Sequence, residues 1–339
     1  MTAADDWAWS FPELPEYNAS GAEIAYTITE DPVEGYISEI DGYNVTNTIV
    51  SRVYGYNVNL KGRIGLNVYL FIPQHVLQDS GLYVTLDDKS FPVASANTRV
   101  VDGLTLYQFS VDKAAKEMND KVTVRLYRAD GTPETLFCRD VDVTETGWRY
   151  SIQTYIDRSR EDKVEPLLLA VVDAMSDYGS LAQAYFKYNE ENRAAVVGDV
   201  DAVTEAELAP YEAKLTQGKA TGVTYAGSSL VLRSGTVIRH YFTIDEGSVG
   251  DYTFKIGSKT VTPVETSDGW MIEIQDVYAR NLDTAYTVTV TSSEGRILTL
   301  KYSALSYAYK AVQDNTDPAL VRLVKAMYLY NRAADEYFG

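Results

Sequence analysis

The side chains that most often perform catalysis are scarce in this 339-residue chain. It contains two histidines, His75 and His240, and one cysteine, Cys138. Serine–histidine or cysteine–histidine catalysis would have to use one of those histidines. His75 follows an apolar run and His240 lies inside a strand-like segment, so we interpret both as structural residues. One cysteine cannot form an intrachain disulfide, and this inventory cannot supply a zinc cluster.

The 48 acidic residues could include a pair of carboxylates for glycoside hydrolysis, but no motif indicates such a pair. No nucleotide-binding, metalloprotease or serine-hydrolase motif occurs either. Asp199 and Asp201, followed by Glu205 and Glu207, faintly resemble a calcium loop that lacks its third acidic position and its glycine. We therefore predict a non-catalytic chain without cofactor or metal, and calcium near Asp199–Glu207 stays an open alternative.

Aromatic side chains offer another kind of chemistry, because their faces stack on sugar rings. Trp148, after Gly147, and Trp270, after Asp268-Gly269, are the candidates, and packing within a sheet is the competing interpretation. The chain also has 27 tyrosines, a residue that suits both half-buried sheet faces and binding surfaces.

The charge distribution divides the chain. Thirty basic and 48 acidic residues give a net charge of −18, which excludes nucleic acid and a basic membrane-binding surface. Residues 1–50 hold ten of the acids and no Lys or Arg, which predicts a module boundary near residue 50. No apolar stretch is long enough to span a membrane, and the lack of a basic and an apolar region at the start leads us to expect no signal peptide. We expect the chain to be a piece of a larger protein.

The elements that must position these residues are mostly strands. Alternating apolar residues predict three short strands in the first 50 residues, around Trp7–Phe11, Ile24–Ile28 and Tyr43–Asn47. Beyond them the sequence repeats itself, because residues 174–186 and 326–338 share six identities at a spacing of 152. Two upstream blocks match at spacings of 164 and 172: residues 122–126 with 286–290, and Leu60, Leu66 and Tyr69 with Leu232, Ile238 and Tyr241. Collinear blocks of this kind indicate tandem modules.

Each module is expected to end in a helix. The first such helix should begin at Pro166, after Glu165, and the second at Pro318, capped by Asp317. Residues 204–207 fit a capping box, so a short helix is predicted over about 205–216 in the connecting segment.

The predicted fold class is mainly β with α. It consists of antiparallel, immunoglobulin-like β-sandwich modules in tandem, each closed by a C-terminal helix. The predicted division is 1–50 (truncated β segment), 51–192 (first β-plus-helix repeat), 193–226 (linker with a short helix) and 227–339 (second, shorter repeat).

The first segment carries a family resemblance. Its residues 11–17, 21–30, 33–36 and 45–48 resemble, in order, the C-terminal half of a CnaB-type domain, the collagen-adhesin B repeat of Gram-positive adhesins and pilins. In that family a lysine on the first strand forms an isopeptide bond with an Asn or Asp on the last strand, assisted by an acid on a middle strand.

This resemblance implies roles for two residues. Glu30 takes the place of the assisting acid and Asn47 that of the acceptor. A buried acid with a raised pKa can shuttle protons while a neutral lysine attacks the amide carbon. The first lysine of the chain is Lys61, so the resemblance implies an incomplete site that cannot crosslink unaided.

Residues 57–339 resemble tandem β-plus-helix modules of secreted or surface proteins of gut Firmicutes, in which a helix of the form AMxxYGxAAxxYF ends the unit. The two resemblances together imply an extracellular protein, anchored to the cell wall through parts of the parent protein absent here.

The leading functional hypothesis is a non-catalytic segment of a Gram-positive cell-surface adhesin. It would act as a stalk and as a binding module for a host glycoprotein, mucin, immunoglobulin or glycan. The alternative is an accessory carbohydrate-binding or structural portion of a secreted carbohydrate-active enzyme. A hydrolase that uses two carboxylates across a cleft is the third hypothesis.

Overall fold

The computed structural model describes residues 7–33, 35–138, 147–217, 222–293, 295 and 297–339. Within these residues, antiparallel sheets dominate and helices follow each group of strands, which confirms the predicted fold class.

The first segment is built around one hairpin, formed by β1 (Tyr36–Asp41) and β2 (Asn44–Ile49). The strand predicted around Tyr43–Asn47 is therefore correct, and its partner β1 was not predicted. The strands predicted around Trp7–Phe11 and Ile24–Ile28 are wrong, because the described residues 7–33 contain only an isolated bridge between Tyr17 and Glu23. Alternating apolar residues form a strand only where another strand pairs with them.

The first sandwich is formed by ten strands in two sheets. Its first sheet has the order β11-β3-β4-β8-β7, and its second contains β10-β9-β5-β6 with β12 also paired to β9. The strands are β3 (Ser51–Asn59), β4 (Gly65–Phe71), β5 (Tyr83–Leu86), β6 (Lys89–Pro92), β7 (Asn97–Val101), β8 (Leu104–Asp112), β9 (Val122–Tyr127), β10 (Pro133–Glu134), β11 (Leu136–Phe137) and β12 (Trp148–Tyr150). A single helical turn, α1 (Gln74–Leu77), follows β4.

The second sandwich repeats this order of pairing. Its sheets run β14-β15-β19-β18 and β13-β21-β20-β16-β17. The strands are β13 (Lys214–Gln217), β14 (Val223–Leu232), β15 (Thr236–Ile244), β16 (Tyr252–Ile256), β17 (Lys259–Val261), β18 (Val264–Thr266), β19 (Gly269–Val277), β20 (Tyr286–Ser292) and β21 (Ile297–Tyr302).

The inner faces of each pair of sheets share one apolar core. In the first sandwich, Leu66 and Val68 of β4 pack in the same buried cluster as Val84 of β5 and Val124 of β9. In the second, the corresponding strands bury residues including Ile238, Phe242, Phe254 and Val288. Burial of these alternating side chains is the main stabilising contribution to both sandwiches.

A helical hairpin, rather than a lone helix, closes each sandwich. The first is α2 (Ile152–Glu161) with α3 (Pro166–Phe186), and the second is α5 (Ala304–Asp314) with α6 (Pro318–Phe338). The predicted starts of the long helices are confirmed, since Glu165 and Asp317 cap them as expected. The first helix of each hairpin was not predicted.

The two modules pack together through equivalent parts. Helix α3 lies against α6, with the rings of Tyr178 and Tyr330 stacked at a centroid distance of 5.7 Å. Arg63, in the β3–β4 turn, forms ion pairs with Asp112 of the first module and Asp276 of the second, at 3.3 Å and 2.9 Å. These two aspartates occupy matching positions in the sequence repeat.

The connecting segment runs along the first helical hairpin. Buried Asp177 of α3 accepts hydrogen bonds from the backbone N–H groups of Val197 and Gly198, at 2.8 Å each. The predicted capping box of Thr204 and Glu207 is confirmed at helix α4 (Glu205–Leu208). Strand β13 then joins a sheet of the second module. The predicted division of the chain into four parts stays a prediction.

Candidate functional site

The two residues singled out by the family resemblance are in direct contact. Asn47 lies on β2, and its Nδ2 donates a hydrogen bond to Glu30 Oε1 at 2.9 Å. Ser38, directly opposite Asn47 on β1, donates from Oγ to Asn47 Oδ1 at 2.6 Å. The hairpin register therefore brings an acid, a hydroxyl and a carboxamide together.

Glu30 and Asn47 of this triad line an open groove of about 1140 Å³. Aromatic side chains from the stretch that precedes the hairpin form much of its wall, notably Trp7, Trp9 and Phe11. Trp7 and Phe11 are 65% and 66% exposed, which is unusual for large apolar side chains. The remaining lining residues are Ala8, Leu14, Tyr26, Glu30, Tyr36, Tyr43, Asn44, Val45, Thr46 and Asn47.

The charge state of Glu30 differs from the expectation. The polar side chains of Ser38 and Asn47 beside the Glu30 carboxyl lower its pKa below the ordinary value, whereas the proton-shuttle role needs a raised pKa. The groove is open, so little desolvation opposes this effect. At the same time Glu30 Oε2 is shielded from solvent and has no hydrogen-bond partner among the described residues. The acid is thus positioned to act, with one oxygen free for a further donor.

The two histidines occupy the structural positions that the sequence indicated. His75 is exposed on α1, and His240 is fully buried on β15, where its Nδ1 lies 2.6 Å from Ser228 Oγ. Burial lowers the pKa of His240 to about 4, so its ring is neutral near pH 7. His240 is thus enclosed in the core of the second sandwich, whereas Ser228 is half-buried. The only cysteine, Cys138, is half-buried.

The two tryptophans predicted as candidates for sugar stacking differ in burial. Trp148 is fully buried against Tyr56 and Tyr150, so its interpretation as a sugar platform is wrong. Trp270 on β19 is half-buried, and the structure leaves that interpretation open.

The residues that faintly resemble a calcium loop act as helix caps instead. The Asp199 side chain accepts a hydrogen bond from the Ala202 N–H, and Glu207 completes the capping box with Thr204. Among the described residues, no group of three or more histidine, cysteine or acidic side chains could hold a metal ion.

Ser38 is the member of the triad that the sequence analysis missed. Its signal was the hairpin register, which places residue 38 opposite residue 47 once β1 is recognised. The aromatic residues that line the groove were interpreted only as part of a strand. Their place in the groove wall depends on where the chain folds back onto the hairpin.

Comparison with known proteins supports the resemblance of this segment. Residues 1–48 match the Cna protein B-type domain family. The collagen adhesin of Staphylococcus aureus is 40% identical over 47 residues, which cover 14% of this chain and 4% of that protein. No solved structure matches the chain. The CnaB-like resemblance is thus confirmed for the first segment, while the resemblance of residues 57–339 to Firmicutes modules stays a prediction.

In the part of the chain that the structure describes, none of the helices combines the length and apolarity required to cross a bilayer.

Proposed function

We propose that this chain is a non-catalytic segment of a Gram-positive cell-surface adhesin. In this proposal, residues 1–50 accept a lysine-bearing strand and the two β-sandwich modules form a stalk and binding unit. The observation that carries the proposal is the 2.9 Å contact between Asn47 Nδ2 and Glu30 Oε1 at the base of an open aromatic groove.

The chemistry of such a linkage follows from this contact. The neutral amine of an incoming lysine attacks the Asn47 side-chain carbonyl carbon and forms an isopeptide bond. The Glu30 carboxyl accepts a proton from the attacking nitrogen and returns it to the leaving nitrogen, which departs as ammonia. A strand seated in the groove would exclude water and thereby raise the pKa of Glu30 towards the range that this proton transfer needs.

Charge favours a basic partner for the groove. The first 50 residues contain ten acids and no Lys or Arg, so they attract a lysine-bearing strand and repel an acidic one. The exposed indole and phenyl rings supply an apolar surface that the strand would cover.

The adhesin part of the proposal rests on the named relative and on the absence of a recognised catalytic motif from the sequence. It places the protein outside the cell, attached to the cell wall through the parent protein. The ligand would be a host glycoprotein, mucin or immunoglobulin.

Binding to immobilised host proteins tests this part. We expect saturable binding of the whole chain at micromolar concentration to mucin, to immunoglobulin G or to a serum glycoprotein. The Asn47→Ala variant should bind equally well, because the strand-accepting groove is separate from the ligand site. Failure of the chain to bind any member of such a panel would contradict the adhesin proposal.

A further inference from the structure

The outer face of the first module's β3-β4-β8 sheet carries an unusual set of side chains. Asn57 of β3, Asn67 of β4 and Ser110 of β8 stand side by side in one cross-strand row. Tyr69 and Gln108 form the next row. We call these five residues the amide face.

The amide face is a connected hydrogen-bond network. Asn67 Nδ2 donates to Asn57 Oδ1 at 2.8 Å, and Asn57 Nδ2 donates to the Tyr69 hydroxyl at 3.2 Å. Ser110 Oγ and Gln108 Nε2 both donate to Asn67 Oδ1, at 2.6 Å and 3.5 Å. These bonds fix the carboxamide planes of Asn57 and Asn67, and each uses one of its two N–H donors here.

Local stability does not explain these residues. Asparagine is disfavoured in strands, where β-branched and aromatic residues pack better against their cross-strand neighbours. Placing two asparagines opposite each other on neighbouring strands therefore costs stability. A polar network of this kind on a half-exposed sheet face is typical of a recognition surface.

An open position in the sheet borders the amide face. The pairing of β3 with β4 is shifted between Val53 and Gly55, and a Cβ atom added at Gly55 would meet no atom within 4 Å. Glycine inside a strand marks such a bulge or a close approach by a ligand. Tyr54, beside it, donates a hydrogen bond to Asp102 at 3.2 Å and lies 5.9 Å from the Arg52 guanidinium. The open position at Gly55 thus lies next to an aromatic residue.

The second module provides an internal comparison. At the position matching Asn67 it has Arg239, which forms an ion pair with Glu273 on the adjacent strand at 2.7 Å. Ser229 and Met271 replace Asn57 and Gln108 in the corresponding cross-strand positions. The same sheet face therefore carries an ion pair in the second module, whereas in the first it is a network of uncharged side chains with the Arg99 guanidinium stacked 3.8 Å from the centroid of the Tyr69 ring.

We propose that the amide face and the open position at Gly55 bind a neutral carbohydrate. Fixed carboxamides present adjacent donors and acceptors, which match the adjacent hydroxyls of a sugar ring, and Tyr54 supplies an aromatic ring for its apolar face. The five side chains of the amide face are themselves uncharged, so they match an uncharged ligand. This inference rests on the proposed adhesin function, in that it assigns the ligand site to the first module.

Native gel electrophoresis through soluble polysaccharides tests the site. The probes are hydroxyethyl cellulose, xyloglucan, galactomannan and yeast mannan, with hyaluronan as the anionic comparison. We expect at least one neutral polysaccharide to retard the whole chain and hyaluronan not to. Asn67→Ala removes the central member of the network and should weaken retention about tenfold. Gly55→Ile places a branched side chain in the open space at Gly55, where an added Cβ atom meets no atom within 4 Å, and should abolish retention.

The matched controls lie on the second module. Ser229→Ala and Met271→Ala alter the corresponding face there and should leave retention unchanged. Retardation by none of the neutral polysaccharides would overturn the proposal, as would retention that survives both Asn67→Ala and Gly55→Ile. If both variants still bind mucin as well as the wild type does, the proposed site is wrong but the adhesin function stands. If the wild-type chain binds no host ligand at all, the result counts against the adhesin function itself.

Discussion

Glu30 and Asn47 are the two residues of the candidate site that were predicted from the sequence. The family resemblance singled out both, and the structure brings them into hydrogen-bond contact. It could not supply Ser38, because a hydroxyl becomes relevant only once the hairpin register is known. It also gave the wrong direction for the pKa of Glu30, since that pKa depends on solvent exclusion by a strand that is not seated in the groove.

The amide face was missed for a related reason. Asn57 and Asn67 are ten residues apart and Gln108 follows 41 residues later, and the order β3-β4-β8 brings all three onto one surface. Their unfavourable strand propensity was the one signal available beforehand.

His240 provides a prediction at this scale. Burial holds its pKa near 4, whereas an unfolded histidine titrates near pH 6.5. Between these values the unfolded chain binds more protons, so the stability contributed by neutral His240 is lost as the pH falls. This one group should lower the free energy of unfolding by about 2 kcal/mol between pH 7 and pH 5.

Urea denaturation of the wild type and of His240→Gln at both pH values measures this contribution. The stability difference between the two proteins should change by that amount, because glutamine does not titrate. The exposed His75→Gln variant serves as the control for replacing a histidine with glutamine. An identical pH dependence in wild type and His240→Gln would contradict the assigned role.

At the scale of elements, periodicity predicted the long helices and their caps, but not the first helix of each hairpin. The signal was present, because Tyr150-Ser151 and Tyr302-Ser303 are related by the same spacing of 152 as the long helices. Ser151 and Ser303 each cap the helix that follows. The strand predictions failed in residues 7–33, where alternation was present and a pairing partner was not.

The contact between α3 and α6 yields the second prediction. Tyr178 and Tyr330 are each 3% exposed, and their stacked rings link the two modules. Tyr330→Ala should lower the free energy of unfolding by about 3–5 kcal/mol, as for other buried aromatic residues. The control Tyr17→Ala changes a tyrosine that is 55% exposed and should have little effect.

A double-mutant cycle isolates the contribution of the pair. Tyr178→Ala and Tyr330→Ala should be coupled by about 0.5–1.5 kcal/mol, because each ring stacks on the other. Strictly additive effects would show that the modules do not depend on this contact.

At the scale of the whole molecule, the modules meet through surfaces that correspond in the sequence repeat. The helices α3 and α6, the tyrosines 178 and 330, and the aspartates 112 and 276 are equivalent pairs. A backbone hydrogen bond from Ile64 to Ser234, at 2.7 Å, joins the two equivalent hairpin turns. Such an arrangement orients the two sandwiches relative to each other, as a stalk requires. The repeat blocks in the sequence indicated the modules, but the way in which they pack depends on side chains from both copies.

The uneven charge also belongs to this scale. The 50 residues that hold the groove carry ten acids and no base, while the remaining residues carry 30 bases and 38 acids. We therefore propose that the acidic segment accepts the lysine-bearing strand and that the modules, whose positive and negative charges nearly balance, bind the ligand.

Intact-mass spectrometry tests the central claim that the first segment is an acceptor for a lysine-bearing strand. The chain is mixed with a synthetic peptide in which apolar residues alternate around one lysine. We predict a gain equal to the peptide mass less one ammonia, which Asn47→Ala abolishes and Glu30→Gln strongly reduces. Glu39→Gln, on the same hairpin but outside the groove lining, should leave the gain unchanged. No mass gain in the wild type, or an equal gain in Asn47→Ala or Glu30→Gln, would contradict the claim.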